Sequence, residues 1–237
     1  MGKNTDRAQH RAHDAQDSAK HKLYSAQHRL YSAQDMVRIR SNECAGCGAC
    51  CRGMGDTIVL DPYDVWQLAG GTGRSFEELM GAGIDLHVEE GVILPHLMMR
   101  EDTQGCAFLA EDGRCAIHLF RPGICRLFPL GREFHDDRVS YFIVPEGCVK
   151  RGLSKVRIDK WLGVAELPRY ERFKAEWRAL LRRLEARLAA EPSEEVRRNV
   201  NVYFLRTFYS TPYACPSAAA FYEEFAGRRA AFEAAAL

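Results

Sequence analysis

Nine cysteines constrain this chain more than any other feature, because eight of them fall between Cys44 and Cys148. Four stand together in CAGCGACC, as Cys44, Cys47, Cys50 and Cys51. Two C-x2-C steps share Cys47. A two-residue spacer lets both thiolates turn toward one centre, and the small residues between them (Ala45, Gly46, Gly48, Ala49) let the backbone wrap an ion. Backbone N–H groups freed in such a turn can hydrogen-bond metal-bound sulfur.

The run C-x2-C-x2-C is the local pattern of bacterial ferredoxin clusters, but those space the fourth cysteine by three and follow it with proline. Here Cys51 is adjacent and Arg52 follows. Adjacent cysteines point in different directions, which separates Cys51 from Cys50 as ligands of the same metal. The run also departs from the C-x3-C-x2-C of radical enzymes that use S-adenosylmethionine. Cys106, Cys115, Cys125 and Cys148 lie at expected turn or strand ends, where thiolates are presented inward. Three partitions are open: a single four-iron cluster with four spare cysteines, two tetrahedral zinc sites of four thiolates each, or one metal site plus structural thiols. Soft thiolates select zinc or an iron–sulfur cluster and exclude magnesium and calcium. Cys215, in YACPS, reads as a buried bystander.

The opening stretch MGKNTDRAQHRAHDAQDSAKHK has no apolar core of a secretory signal. The expectation is therefore a cytoplasmic chain with reduced thiols, in which dense cysteines mean metal or catalysis rather than disulfides. A net charge of +1 over 237 residues provides no field for nucleic acid or an anionic membrane. No run of about 18 apolar residues is present to span a bilayer. With 46% hydrophobic residues the chain can build a core, which excludes a largely disordered protein.

The expected architecture is α+β, with a cysteine-rich half of short strands, turns and helices followed by a mostly helical half. Residues 1–35 form a polar extension, with YSAQ at Tyr24 and again at Tyr31, histidines at 10, 13, 21 and 28, and a short helical seam at Leu23, Ala26, Leu30 and Ala33. A solvated, frayed helix is expected there, and Met36 offers an alternative start. Residues 36–150 form the cysteine-cluster domain. In it TIVL (57–60) reads as a strand, Asp61-Pro62 opens a helix, and Ser75 with Glu78 forms a capping box. Hairpins are expected over 84–100 around Glu90-Gly91, over 106–118 around Asp112-Gly113, and after Arg132 around Asp136-Asp137. Residues 151–237 are helical. Tyr170, Phe173, Trp177, Leu180, Leu181 and Leu184 share one face, while Arg178, Arg182, Arg183 and Arg187 form a solvated one. Further helices begin at Ser193 and Ser217.

CAGCGACC, followed by GCAFLAEDGRCAIHLFRPGICRLFP, closely resembles the YkgJ-type CxxCxxCC cysteine-cluster family of zinc- or iron-chelating domain proteins. That family shows CxxCxxCC, then C-x-F-L, C-x-I with Tyr or His, and R-P-x-x-C-R-x-F-P. The matching residues are Cys44, Cys47, Cys50 and Cys51; Cys106, Phe108 and Leu109; Cys115 and Ile117; and Arg121, Pro122, Cys125, Arg126, Phe128 and Pro129, with Cys148 as the last cysteine. The resemblance implies metal binding by the eight cysteines, as an iron–sulfur cluster (four-iron favoured) or zinc. Arg121 and Arg126 flank Cys125 inside the motif and would offset the charge of the thiolates. His118 is expected to pack rather than ligate. Flagellin lysine N-methylases are similar in the cysteine motif, which implies an alternative in which a cluster-bearing enzyme acts on a protein substrate. A zinc-stabilised interaction module is the other alternative. No catalytic residue stands out.

Overall fold

A computed structural model describes residues 29–40, 47–135, 138–144, 148 and 152–237. The histidines of the N-terminal extension, Cys44 and the turn Asp136-Asp137 lie outside the described residues. The strands are β1 (Met36–Arg40), β2 (Ile84–Glu89), β3 (Val92–Leu97), β4 (Leu130–His135), β5 (Arg138–Ile143) and β6 (Leu153–Arg157). They pair antiparallel, only two by two: β1 with β6, β2 with β3 and β4 with β5. A two-stranded ribbon buries too little to stand alone, so the helices must cover these. The β2–β3 turn is the expected one. Glu90 and Gly91 both take positive φ, 49° and 86°, as a hairpin turn matched to strand twist requires. TIVL is less than a strand. Only Val59 makes a bridge, to His96, although Leu60 N–H reaches Pro95 O and Leu97 N–H reaches Ile58 O.

The helices are α1 (Pro62–Thr72), α2 (Phe76–Leu79), α3 (Gly123–Leu127), α4 (Ile158–Leu162), α5 (Leu167–Ala190), α6 (Glu194–Leu205) and α7 (Ala218–Ala236). Their starts follow the sequence signals. Asp61 and Asp64 form a capping box with Pro62 in the first turn, Ser75 and Glu78 form a second, and Ser193 and Ser217 cap α6 and α7. On α5 the buried residues are Leu167, Tyr170, Phe173, Trp177, Leu180, Leu184 and Leu188, spaced by three or four. The face is therefore apolar once per turn. It meets an aromatic core from α6 and α7. Phe173 meets Phe225 edge-on at 4.7 Å, and Trp177 meets Phe208 at 5.3 Å. Such geometry suits the ring quadrupoles. From the first half, α1 inserts Tyr63, stacked on Tyr222, and Trp66, stacked on Phe221. The fold is thus α+β, with hairpins and short helices over 36–157 and a mostly helical half over 158–236.

After α6 the chain makes a π-helical turn, Arg206–Ser210. A π-turn disturbs the regular backbone ladder, and Arg228 collects the carbonyls of Thr207, Thr211 and Pro212 there. Buried polar groups also join the halves. Lys174 on α5 pairs with the Asp61 carboxylate at the start of α1. Arg132 on β4 lies over the rings of Tyr141 and Tyr170, at 5.9 and 5.3 Å.

The stretch before Met36 is built into this fold. The seam positions Leu30 and Ala33 are not helical: Tyr31 forms a bridge to Tyr141, giving and receiving a hydrogen bond, and Ala33 is buried. Ala33 O and Asp35 O accept from Asp159 N–H and Ile158 N–H. A chain begun at Met36 lacks these four bonds. At about 0.5–1.5 kcal/mol each it is expected to lose about 2–6 kcal/mol. Urea unfolding of both chains measures this, and coincident midpoints would refute it.

Candidate metal centre

The cysteine run folds as a turn because glycine permits it. Gly48 has φ 57° and precedes a 3-10 turn, Ala49–Cys51. A Cβ at Gly48 would stand 3.1 Å from both Gly113 O and Leu109 Cδ1. Glycine therefore allows both the left-handed backbone and the close approach of this turn to the 106–115 loop. Cys106 N–H donates to Cys51 O at 2.8 Å and Gly53 N–H to Gln104 O at 2.8 Å, stitching the two segments together.

The 106–118 segment is a loop rather than an extended hairpin. Among the described residues it keeps a single internal bridge, Leu109 to Cys115, and a turn at Gly113 with φ 78°. Part of the reason lies in where two amides point. Phe108 N–H donates to the Cys106 sulfur and Ile117 N–H donates to the Cys115 sulfur. Each cysteine receives the amide two residues on, and an amide given to sulfur is not available to a ladder. The C-x-F and C-x-I elements thus share one local geometry, suited to a thiolate that needs hydrogen bonds as well as a metal.

Cys125 sits on α3, whose start is fixed from outside. Gly123 N–H donates to Asp64 Oδ1 at 2.8 Å, and Trp161 Nε1 donates to Leu127 O at 3.3 Å. A Cβ at Gly123 would lie 2.1 Å from the Tyr170 hydroxyl. Gly123→Ala is therefore expected to cost about 1–3 kcal/mol through overpacking and to displace Cys125, lowering bound metal per chain. Elemental analysis beside a denaturation curve checks both, and an alanine variant with unchanged metal and stability would contradict the packing argument.

Asp64 is fully buried in this wall, accepting from Gly123 N–H and Asp61 N–H. Burial first, then repulsion from Asp61, pushes its carboxyl up to about 7. An unfolded chain releases this proton near 3.8. Between about pH 4 and 7 the folded protein thus holds a proton that the unfolded chain has lost, so stability falls as pH rises through that window. Asp64→Asn keeps an acceptor for Gly123 and is expected to flatten this dependence. Urea midpoints from pH 4 to 8 test it, and an unaltered slope in the variant would remove Asp64 from the account.

Five thiols lie within electrostatic reach of one another. The Cys51 thiol and Cys50 sulfur share a hydrogen bond, which holds Cys50 down to about 6, with Arg121 adding to the effect. The same bond, burial and the charges of Cys50, Cys115 and Cys106 push Cys51 well up. Burial raises Cys106 and Cys115, and each raises the other or is raised by a neighbouring cysteine. Cys125 is pushed up to about 12 by burial first, then by Asp64, Cys106 and Cys115. The 3-10 turn therefore brings Cys50 and Cys51 together, where side-chain alternation suggested that they part. Arg121 faces Cys50, Cys115 and Cys125, and its Nε is buried without a hydrogen-bond partner. Its Nη1 reaches His118 Nε2 at 2.9 Å, so His118 is exposed and orients Arg121 rather than packing inside. Arg126 binds the carbonyls of Arg121 and Leu119 and shapes the loop that carries Arg121.

The eight described cysteines carry no disulfide. Cys47 and Cys148 are half-buried. Cys215 stands apart, its thiol donating to Glu224 Oε2 at 3.0 Å. Among the described residues no three metal-ligating side chains stand ready around one point. Sequence reading missed Asp64, whose only local signal was a capping position. The amide donors were legible only as the i+2 residues of C-x-F and C-x-I. No described helix is long and apolar enough to cross a membrane.

No curated protein and no solved structure matches this chain. Residues 43–148, the stretch that bears all eight clustered cysteines, match the family model CxxCxxCC, a "Putative zinc- or iron-chelating domain".

Proposed function

We propose that this protein is a metal-cluster protein that holds an iron–sulfur centre of the four-iron type, with ligands drawn from Cys44, Cys47, Cys50, Cys51, Cys106, Cys115, Cys125 and Cys148. The observation that carries this reading is the gathering of Cys50, Cys51, Cys106, Cys115 and Cys125 from three separate segments, with amides aimed at the sulfurs of Cys106 and Cys115. The donor set fits a soft metal: it is all sulfur, and burial of Cys106, Cys115 and Cys125, with the bond from Cys51 to Cys50 and its burial, makes four of these five thiols reluctant to ionise without a cation beside them. Four thiolates on zinc, or on an oxidised four-iron cluster, carry a charge of about −2. Arg121 offsets this charge directly, and Arg126 holds the Arg121 loop in place. When bound, an iron–sulfur cluster supplies one-electron redox chemistry.

The test is protein purified without oxygen, assayed for iron, zinc and acid-labile sulfide. About four iron and four sulfide per chain, with a brown colour, is the expected result. One or two zinc ions without sulfide would replace this reading by a zinc-stabilised module. Neither metal, with all thiols free to react, would refute metal binding itself.

A further inference from the structure

A second set of metal-binding side chains gathers on the β2–β3 hairpin, apart from the cysteines. Alternation along β2 places Asp85, His87 and Glu89 on one face, and the register sets His96 of β3 opposite Asp85 on the same face. The loop before TIVL adds Asp56. His87 and His96 lie ring to ring at 4.7 Å. His87 Nε2 is 3.1 Å from Asp85 Oδ2, His87 Nδ1 is 4.0 Å from Asp56 Oδ2, and His96 Nε2 is 3.7 Å from Glu89 Oε1.

The decisive group is His96. Its side chain is 0% exposed. Its Nδ1 meets the Asp56 backbone carbonyl. A carbonyl only accepts, so Nδ1 carries a proton, and Nε2 is the ring nitrogen left to present a lone pair to a cation. That Nε2 is buried and has no hydrogen-bond partner. A buried imidazole fixed by a backbone carbonyl, with its free nitrogen turned toward a carboxylate, is arranged as metal-ligating histidines are. Asp85 Oδ1, on the same face, is also buried and unpartnered. Among the described residues the ion-pair partners of Asp56, Asp85 and Glu89 are these two histidines.

We propose that this hairpin face binds one divalent transition-metal ion of the zinc type through His96 Nε2, Glu89, His87 and Asp85, at a site independent of the cysteines. Ligands about 2.0–2.1 Å from a tetrahedral ion stand about 3.3 Å from one another. The nitrogen–oxygen separations on this face bracket that value. The donors are not yet converged on one point. His87 and Glu89, with side chains 37% and 44% exposed, are free to close the remaining distance, while the buried His96 stays in place. Imidazole and carboxylate ligands suit zinc and its neighbours.

The test is anaerobic titration of the full chain, as isolated, with Co2+. Cobalt on the hairpin shows ligand-field bands without thiolate-to-cobalt charge transfer. Cobalt on cysteines shows both, so failure of the cysteine reading registers separately. One ion per chain with the sulfur-free spectrum is expected, and Glu89→Gln and His87→Gln should each weaken it by at least tenfold, leaving metal on the thiols unchanged. Both substituted residues are partly exposed, so neither variant depends on refilling the core. Absence of a sulfur-free ion, or equal affinity in the variants, would overturn the proposal. So would a His96 ring that takes up a proton near neutral pH and is indifferent to added Co2+.

Discussion

Replacing Cys115 with serine is expected to lower bound metal at least tenfold and to destabilise the chain by about 3 kcal/mol or more. Two contributions add. The Cys115 thiol is raised by burial and receives Ile117 N–H, so its removal takes away one donor of the proposed centre and leaves an amide aimed at a poorer acceptor. The 106–118 loop is otherwise held by short-range bonds, among them Ala110 N–H to Arg114 O and Ala116 N–H to Phe108 O, while the Phe108 and Ile117 amides serve the sulfurs. If the proposed centre draws a ligand from Cys115, bound metal adds to these bonds in fixing the loop. Elemental analysis and thermal unfolding of the anaerobic protein give the two readouts. Cys215→Ser, at a thiol that faces Glu224 and none of the clustered cysteines, is the control and should stay within about 1 kcal/mol of the parent. Equal losses in both variants would mean that Cys115 acts only as a packed side chain.

Lys174→Met should cost about 3–5 kcal/mol without touching a cysteine. Lys174 and Asp61 are 17% and 3% exposed, and their pair joins α5 to the start of α1. Burial works against the charged amine, but Asp61, Tyr170 and Asp64 outweigh it and hold Lys174 above its ordinary range. It is therefore charged at neutral pH. Methionine keeps much of the stem volume and removes the charge, leaving Asp61 buried beside Asp64 without its ion-pair partner and faced only by the more distant Arg132. Because Asp64 also holds Gly123 at the head of α3, the loss should spread to the wall that carries Cys125. Urea denaturation measures the cost, and Lys174→Met combined with Asp61→Asn should recover a good part of it. A single variant within 1 kcal/mol of the parent would show that the pair is not load-sharing between the halves.

Much of this molecule was readable from residues alone, for local reasons. Asp61-Pro62, Ser75, Ser193 and Ser217 satisfy the first free amides of a helix, so they mark helix starts wherever they occur. Glu90-Gly91 marks a hairpin because both residues adopt positive φ. The apolar spacing from Tyr170 to Leu184 marks the face of α5 because the period is a property of the helix itself. The dense cysteines likewise announced a soft-metal donor set without reference to any fold.

Where local and distant demands compete, the residues alone misled. The 106–118 stretch keeps the expected turn at Gly113 and the antiparallel bridge Leu109–Cys115, but its pairing stays short where the Phe108 and Ile117 amides turn to sulfur. The seam before Met36 has helical spacing, yet Tyr31 finds a strand edge at Tyr141 that only the folded protein offers.

The sequence by itself determined the α+β class, the helix starts, the buried face of α5 and a thiolate donor set, since each follows from short-range sterics, capping and donor chemistry. Only the tertiary structure decided that Cys50 and Cys51 face each other, that Asp64 braces the helix of Cys125, and that His87 and His96 meet on one hairpin face. The Asp64 brace joins residues far apart in the chain, and no local spacing encodes which distant segment will supply the partner; the two cysteines and the two histidines are set by the 3-10 turn and the hairpin register, whose side-chain directions only the folded backbone fixes.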